Sequence, residues 1–200
     1  MNTSPRDEGV VKYHAVHRND PAPTHPLLNK LDQARTQLFD LGLVGVYLDG
    51  VGYGNVSIRH EAGCIISGTS TGATRILGAT GYCYVSNFDI VANIVCTEGP
   101  IQASSEAMTH CAIYQANSAI NCVLHIHNPQ LWRKLLDRNG PSTSKEITYG
   151  TPQMAQEVAV IVQGLANPCG LLAMAGHEDG IAAFGPTIDL ALNQIQAVLT

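Results

Sequence analysis

The feature that most limits what this chain can fold into is its middle stretch, residues 43–101. There, short strand-like runs follow one another with glycine turns between them. Asn55-Val56-Ser57-Ile58-Arg59 alternates, Cys64-Ile65-Ile66 is apolar, and Gly68-Thr69-Ser70-Thr71-Gly72 has loop composition. Helical patterns flank this stretch. Leu27, Leu31, Ala34, Leu38 and Leu41 recur at helical spacing before Gly42 ends the run. A second helix is predicted from Ser104-Ser105 to about Asn117, with Met108, Cys111, Ala112 and Ile113 on its buried side. Asn121 to Ile126 is a strongly apolar strand. Thr151-Pro152 opens a helix that reaches Leu165, Gly170 to Ala175 and Ile181 to Phe184 are strands, and Thr187 to Leu199 is a closing helix. Strands and helices mixed without strict alternation predict α/β layers or an α+β arrangement on a substantially antiparallel sheet.

Residues 1–25 contrast with this. They are polar, hold Pro5, Pro21 and Pro23, and show no sustained period, so they read as an irregular N-terminal arm, dispensable for the core, ahead of a single domain over 26–200. Hydrophobic residues make up 45% of the chain and charged residues 14%, which excludes intrinsic disorder. Eleven basic against sixteen acidic residues give a net charge of −5, and the basic ones form no patch, which argues against nucleic-acid binding. No apolar run approaches a membrane span and the N-terminus has no signal-like apolar core, so a cytoplasmic location is expected. The six cysteines form no C-x-x-C pair and mostly sit in apolar runs, as buried free thiols do.

Four local features could carry chemistry. On a strand, His125 and His127 project from one face about 6.5–7 Å apart, close enough to share a metal, while Ile126 points into the core. Two solvated or core-satisfied histidines are the plain alternative. His177 follows the apolar strand 171–175 and precedes Gly180, which puts it at a strand mouth where a third ligand could converge. Three histidines with an open position make a catalytic rather than a structural site. Ser104-Ser105-Glu106 precedes a helix whose N-terminus suits an anion. Glu106 there equally complements the helix dipole, and His110, one turn on, could simply pair with it. Gly54-Asn55-Val56-Ser57 opens a strand from a glycine turn.

In order along the chain, Gly54-Asn55-x-Ser57, Ser67-Gly68 with Thr71-Gly72, Ser104-Ser105-Glu106 with His110 and Ile113-Tyr114, His125-x-His127, Tyr149-Gly150-Thr151 and Gly176-His177 resemble the class II aldolase/adducin family. The resemblance runs from about Leu27 to Leu199. It implies a three-layer αβα class II aldolase-like fold, a central, largely antiparallel sheet with helices on both faces. It further implies one Zn²⁺ per subunit on His125, His127 and His177, with Glu106 as general acid/base. Asn55, Ser67, Gly68, Ser104 and Ser105 match the family positions that hold a substrate's phosphate. The implied activity is a metal-dependent carbon–carbon lyase acting through an enediolate on a small hydroxylated carbonyl or sugar-phosphate substrate. Epimerase, dehydratase and decarboxylase members share the site, and the adducin head domain is a non-catalytic relative. The usual assembly is a homotetramer with active sites between subunits, an expectation to which low charge and 19 glycines also incline.

The chain also departs from the sugar-phosphate aldolases. Gly52-Tyr53 stand where a phosphate-binding threonine is usual, and Glu178-Asp179 intervene after the third histidine. No clear match exists for the tyrosine that a neighbouring subunit usually supplies. Glu178 and Asp179 are rivals of Glu106 as proton carrier, expected in a solvated turn.

Overall fold

The computed structural model describes residues 9–199. The first strand, β1, is His14–Asn19, followed by helix α1, Leu28–Asp40. Gly45–Val46 (β2) and Gly52–Tyr53 (β3) form a small separate hairpin. Then come β4 (Asn55–His60), β5 (Gly63–Ser67), β6 (Tyr82–Asp89), β7 (Ile94–Gly99), α2 (Ala107–Ala116), β8 (Cys122–His127) and α3 (Pro129–Asp137). The chain closes with α4 (Pro152–Gln163), β9 (Gly170–Ala173), β10 (Gly180–Gly185) and α5 (Ile188–Leu199). Eight strands make one sheet in the order β1-β7-β6-β5-β4-β8-β10-β9. Every pairing is antiparallel except β1 with β7.

Alternation along the strands divides the core in two. One cluster joins Cys64, Ile66, Val123 and Ala182 of the sheet to Met108 and Cys111 of α2 and Met154 and Val158 of α4. The other joins Val56, Ile58, Leu124 and Ile126 to Leu31 and Leu38 of α1, Leu131 of α3 and Ile195 of α5. The expected sheet with helices on both faces is therefore present. No helix of the described residues is long and apolar enough to cross a membrane. All six cysteines are free; Cys64, Cys83, Cys111 and Cys122 are buried.

Three elements differ from the sequence reading. The arm is not irregular throughout: β1 lies within it and pairs in register from His14 opposite Ile94 to Asn19 opposite Gly99. It escaped the pattern because all of it but His17 is exposed, as on an edge strand wet on both faces, so no apolar alternation is required. The arm's first eight residues lie outside the described ones. Helix α3 was missed, although Asn128 caps it by accepting the Leu131 N–H at 2.8 Å and Pro129 takes the first helical position. Finally, α2 begins at Ala107, so Glu106 is its N-cap rather than a residue of its first turn.

Candidate metal centre and active site

The site is assembled on β8, which lies inside the sheet between β4 and β10. His125 faces Asn55 on one side and Ala182 on the other, and His127 faces Gly180. Both imidazoles leave the sheet on the α2/α4 side, while Ile126 enters the opposite core cluster. His177 comes from the turn joining β9 to β10, which is closed by His177 N–H to the Met174 carbonyl (2.9 Å) and Gly180 N–H to the His177 carbonyl (3.0 Å). A Cβ at Gly180 would lie 2.8 Å from His177 Nδ1 and 3.1 Å from His125 Cε1. That glycine is thus what lets the third histidine approach the first.

The three rings are buried, with centroids 4.7–5.0 Å apart. One nitrogen from each lies within 4.8 Å of the other two, a set able to hold a metal ion. His125 Nε2 and His127 Nε2 are 3.0 Å apart. The other nitrogen of each is engaged behind the site. His125 Nδ1 is 3.2 Å from the Ile181 carbonyl, which can only accept, so its proton sits there and its Nε2 presents a lone pair. His127 Nδ1 is 2.8 Å from the Tyr47 hydroxyl. Burial pushes the His125 pKa well below the usual value, with His177 adding to the effect. Burial, then the nearby Lys12 charge, takes His177 down to about 3. His125 and His177 are held neutral by burial, and with the His125 tautomer set from behind the cluster offers the kind of donors a borderline cation such as zinc prefers, so the residues fit the implied metal.

Glu106 stands beside this cluster. Its Oε1 is 4.0 Å from His177 Nδ1, and the residue is 2% exposed. It is placed by the turn before α2, where Ser104 Oγ accepts the Glu106 N–H at 3.4 Å and the Ser104 carbonyl accepts the Ala107 N–H at 3.0 Å. His110 does not turn to Glu106: its Nδ1 meets Ser57 Oγ at 2.7 Å, and Ser57 Oγ also meets the Tyr114 hydroxyl at 2.7 Å.

A cavity of about 70 Å³ opens over the histidines. Of the five positions matched to phosphate binding, Asn55, Gly68, Ser104 and Ser105 line it. The Ser67 side chain does not; its hydroxyl accepts the Val56 N–H at 3.1 Å and ties β5 to β4. Loops 67–72 and 102–106 are bound together by Ser104 N–H to the Ser67 carbonyl (3.3 Å) and Thr69 N–H to the Gln102 carbonyl (2.9 Å). Behind them, the buried Arg35 guanidinium donates to the carbonyls of Thr71 (2.8 Å) and Thr74 (2.7 Å). Neither Glu178 nor Asp179 lines the cavity. Glu178 is exposed, as expected of its turn, whereas Asp179 is buried.

Sequence reasoning gave no role to Tyr47, Arg35 or Tyr149. The Tyr149 ring stacks on His177 with centroids 4.7 Å apart and planes inclined by 27°. Only Tyr149 carried a signal, being part of Tyr149-Gly150-Thr151, where Gly150 adopts a φ of 68°.

Residues 37–199 match the family model described as Class II Aldolase and Adducin N-terminal domain. Compared with curated proteins, the chain has no significant match. Among solved structures it is similar to L-fuculose-1-phosphate aldolase from Thermus thermophilus, at 20% identity and a TM-score of 0.59, covering 86% of this chain and 92% of that one. It is also similar to a sugar-phosphate aldolase from Thermotoga maritima, at 15% identity and a TM-score of 0.63, covering 84% and 88%. An aldolase II superfamily protein from Pseudomonas syringae is similar at 15% identity and a TM-score of 0.57, covering 88% and 73%. At these identities the structural likeness speaks for the fold.

Proposed function

Since the chain belongs to the class II aldolase and adducin family, we propose that it is a metal-dependent carbon–carbon lyase acting on a small hydroxylated carbonyl compound or sugar phosphate. The observation that carries this reading is the buried Glu106 carboxylate set 4.0 Å from His177 in a three-histidine cluster beneath an open cavity. A scaffold with no chemistry to perform has no need of a carboxylate desolvated beside neutral imidazoles. His125, His127 and His177 would hold the cation, zinc in our reading. When bound, it supplies Lewis-acid stabilisation of the negative charge that develops as the bond breaks.

The chain's own residues do the rest. Glu106 Oε1 takes the proton of the substrate hydroxyl on the carbon that becomes an aldehyde. The electrons of the carbon–carbon bond pass to the neighbouring carbon, and the same carboxyl returns its proton there. One carrier thus closes the proton cycle. Asn55, Gly68, Ser104 and Ser105 supply the polar wall against which the remainder of the substrate lies, and Tyr149, stacked on His177, keeps that ring in place. The same site serves epimerisation, dehydration or decarboxylation with a different substrate. A homotetramer with active sites between subunits and a cytoplasmic location complete the reading; a 21 kDa particle in light scattering across micromolar concentrations would contradict the assembly.

The deciding experiment is a panel of ketose 1-phosphates, free ketoses and 2-hydroxy or 2-oxo acids assayed with zinc-loaded wild type and Glu106→Gln. Turnover of a panel member should fall by at least about a hundredfold in the variant while bound zinc stays the same. A fully active Glu106→Gln would move the proton carrier elsewhere. Silence of the loaded wild type towards the whole panel would favour a non-catalytic adducin-like module.

A further inference from the structure

The positions matched to phosphate binding are, in this chain, largely engaged with other parts of the protein. Ser67 is absent from the cavity lining, and its hydroxyl accepts the Val56 N–H. The Gly68 N–H donates to the Gly81 carbonyl at 2.9 Å, and the Ser104 N–H to the Ser67 carbonyl at 3.3 Å. The neighbouring Thr69 N–H goes to the Gln102 carbonyl at 2.9 Å. Ser104 Oγ accepts the Glu106 N–H. Tyr53, standing where a phosphate-binding threonine is usual, gives its hydroxyl hydrogen to the Gly42 carbonyl at 3.2 Å. These bonds tie β3, loop 67–72 and the turn before α2 in place, so freeing one of the amides for a ligand would loosen the wall itself.

Asn55 is left over in the opposite sense. It opens β4 directly across from His125, lines the cavity and is 5% exposed. Its Oδ1 is shut off from bulk solvent and meets no hydrogen-bond donor among the described residues. A buried acceptor left unmet costs about 1–3 kcal/mol, so the ligand atom that completes it is one that brings a hydrogen. A phosphate monoester at neutral pH is mostly a dianion and brings only acceptor oxygens. Set against Oδ1, it would add repulsion to the missing bond. An alcohol hydroxyl donates one hydrogen and keeps two lone pairs. Ser105 lines the same cavity, and its hydroxyl is able to donate to such a lone pair.

We propose that the group received at Asn55 is a hydroxyl rather than a phosphate, so that the substrate is a non-phosphorylated, polyhydroxylated carbonyl compound. This narrows the reading above and rests on its metal site, not on the bond that is cleaved. The test therefore reads binding without turnover. Full-length protein loaded with Co²⁺ is titrated with dihydroxyacetone and with dihydroxyacetone phosphate, following the visible cobalt spectrum. The two offer the metal the same hydroxyketone and differ in ending on a hydroxyl or a phosphate. Wild type should bind dihydroxyacetone, and should bind the phosphate ester no more than about threefold more tightly. A wall built for phosphate would favour the ester by about tenfold or more, because charge-assisted hydrogen bonds are the stronger ones. Asn55→Leu should raise the dihydroxyacetone Kd about tenfold with bound cobalt unchanged. Asn55→Asp keeps an acceptor and loses the amide donor; it should bring that Kd back to within about threefold of wild type and weaken the ester further. A larger preference of wild type for the ester overturns the proposal, as does its failure to bind dihydroxyacetone. Equal losses in the Leu and Asp variants do so too, because they would make Asn55 a donor to the ligand. The wild-type comparison decides by itself if Asn55→Leu does not fold. Preference for dihydroxyacetone in a protein that cleaves no panel member would sink the lyase reading and leave this one standing; cleavage confined to ketose 1-phosphates would do the reverse.

Discussion

Tyr47 does for His127 what the Ile181 carbonyl does for His125: it engages Nδ1, leaving Nε2 to face the centre. Removing a partner behind a ligand typically lowers metal affinity ten- to a hundredfold. Tyr47→Phe is therefore expected to weaken zinc binding by about tenfold or more in a chelator competition, with the fold intact; an unchanged zinc Kd would remove Tyr47 from the site. Gly54 works by a different route. Its φ is 75°, and a Cβ there would sit 2.8 Å from Val44 Cγ2 and 3.0 Å from the His125 carbonyl. Gly54→Ala should destabilise the protein by roughly 1–3 kcal/mol in urea titration, from left-handed strain and the close approach together. Tyr47 and Arg35 mark the limit of what was legible. His125 and His127 stand out because i, i+2 spacing on an apolar strand is a local signal, and Glu106 because it sits in a helix-start motif. Tyr47 and Arg35 touch their partners from 80 and about 36–40 positions away, and no local pattern marks a side chain whose purpose lies in another element.

At the scale of elements, the same contrast separates β1 from the inner strands. Residues of β4, β5, β8 and β10 are buried on both faces or nearly so, and hydrophobicity betrays them. β1 contributes backbone hydrogen bonds and is exposed along nearly all its length, so its sequence is free to be polar. Its helix counterpart is α1, where the expected stripe holds at Leu31, Ala34 and Leu38 and fails only at its ends. Leu28 is buried while Leu27 and Leu41 are exposed, and Arg35 enters the buried face because its guanidinium has carbonyl partners there. β1 nevertheless matters to the fold. Cutting the chain before Pro21 would uncover the β7 edge and remove Tyr13, which is 6% exposed and packs in the α2/α4 cluster. Burying an aromatic side chain is worth about 1.5–3 kcal/mol. A chain starting at Pro21 should therefore lose at least about 2 kcal/mol and, with an open strand edge, become prone to association. Chemical denaturation and light scattering would register both, and an unchanged midpoint would return the arm to the dispensable status its sequence predicts.

For the whole molecule, the decisive arrangement is that the sheet divides an ordinary apolar core from one into which charge-bearing groups have been sunk. On the α1/α5 side the cluster is aliphatic almost throughout. On the α2/α4 side the sheet carries His125 and His127, with His110 packed one turn beyond Glu106 and His177 closing the mouth. Burial pushes the pKa of His110 and of His125 well below the usual histidine value, and that of His177 to about 3. In the unfolded chain the same side chains take up protons near pH 6.5. Below that pH the unfolded state therefore binds more protons than the native one, so stability rises with pH up to about 6.5 and is lost as pH falls below it. Each such histidine contributes a slope of up to about 1.4 kcal/mol per pH unit. Urea titrations of chelator-treated protein should show a clear loss of stability between pH 7.5 and pH 5.5, a window in which ordinary carboxylates stay ionised. Saturating zinc should raise stability across the window without steepening the loss, because the native imidazoles are already unprotonated there. A stability that is flat across that window in the metal-free protein would mean that the buried histidines are protonated in the native state, and neutral ligands could then not be the basis of the site.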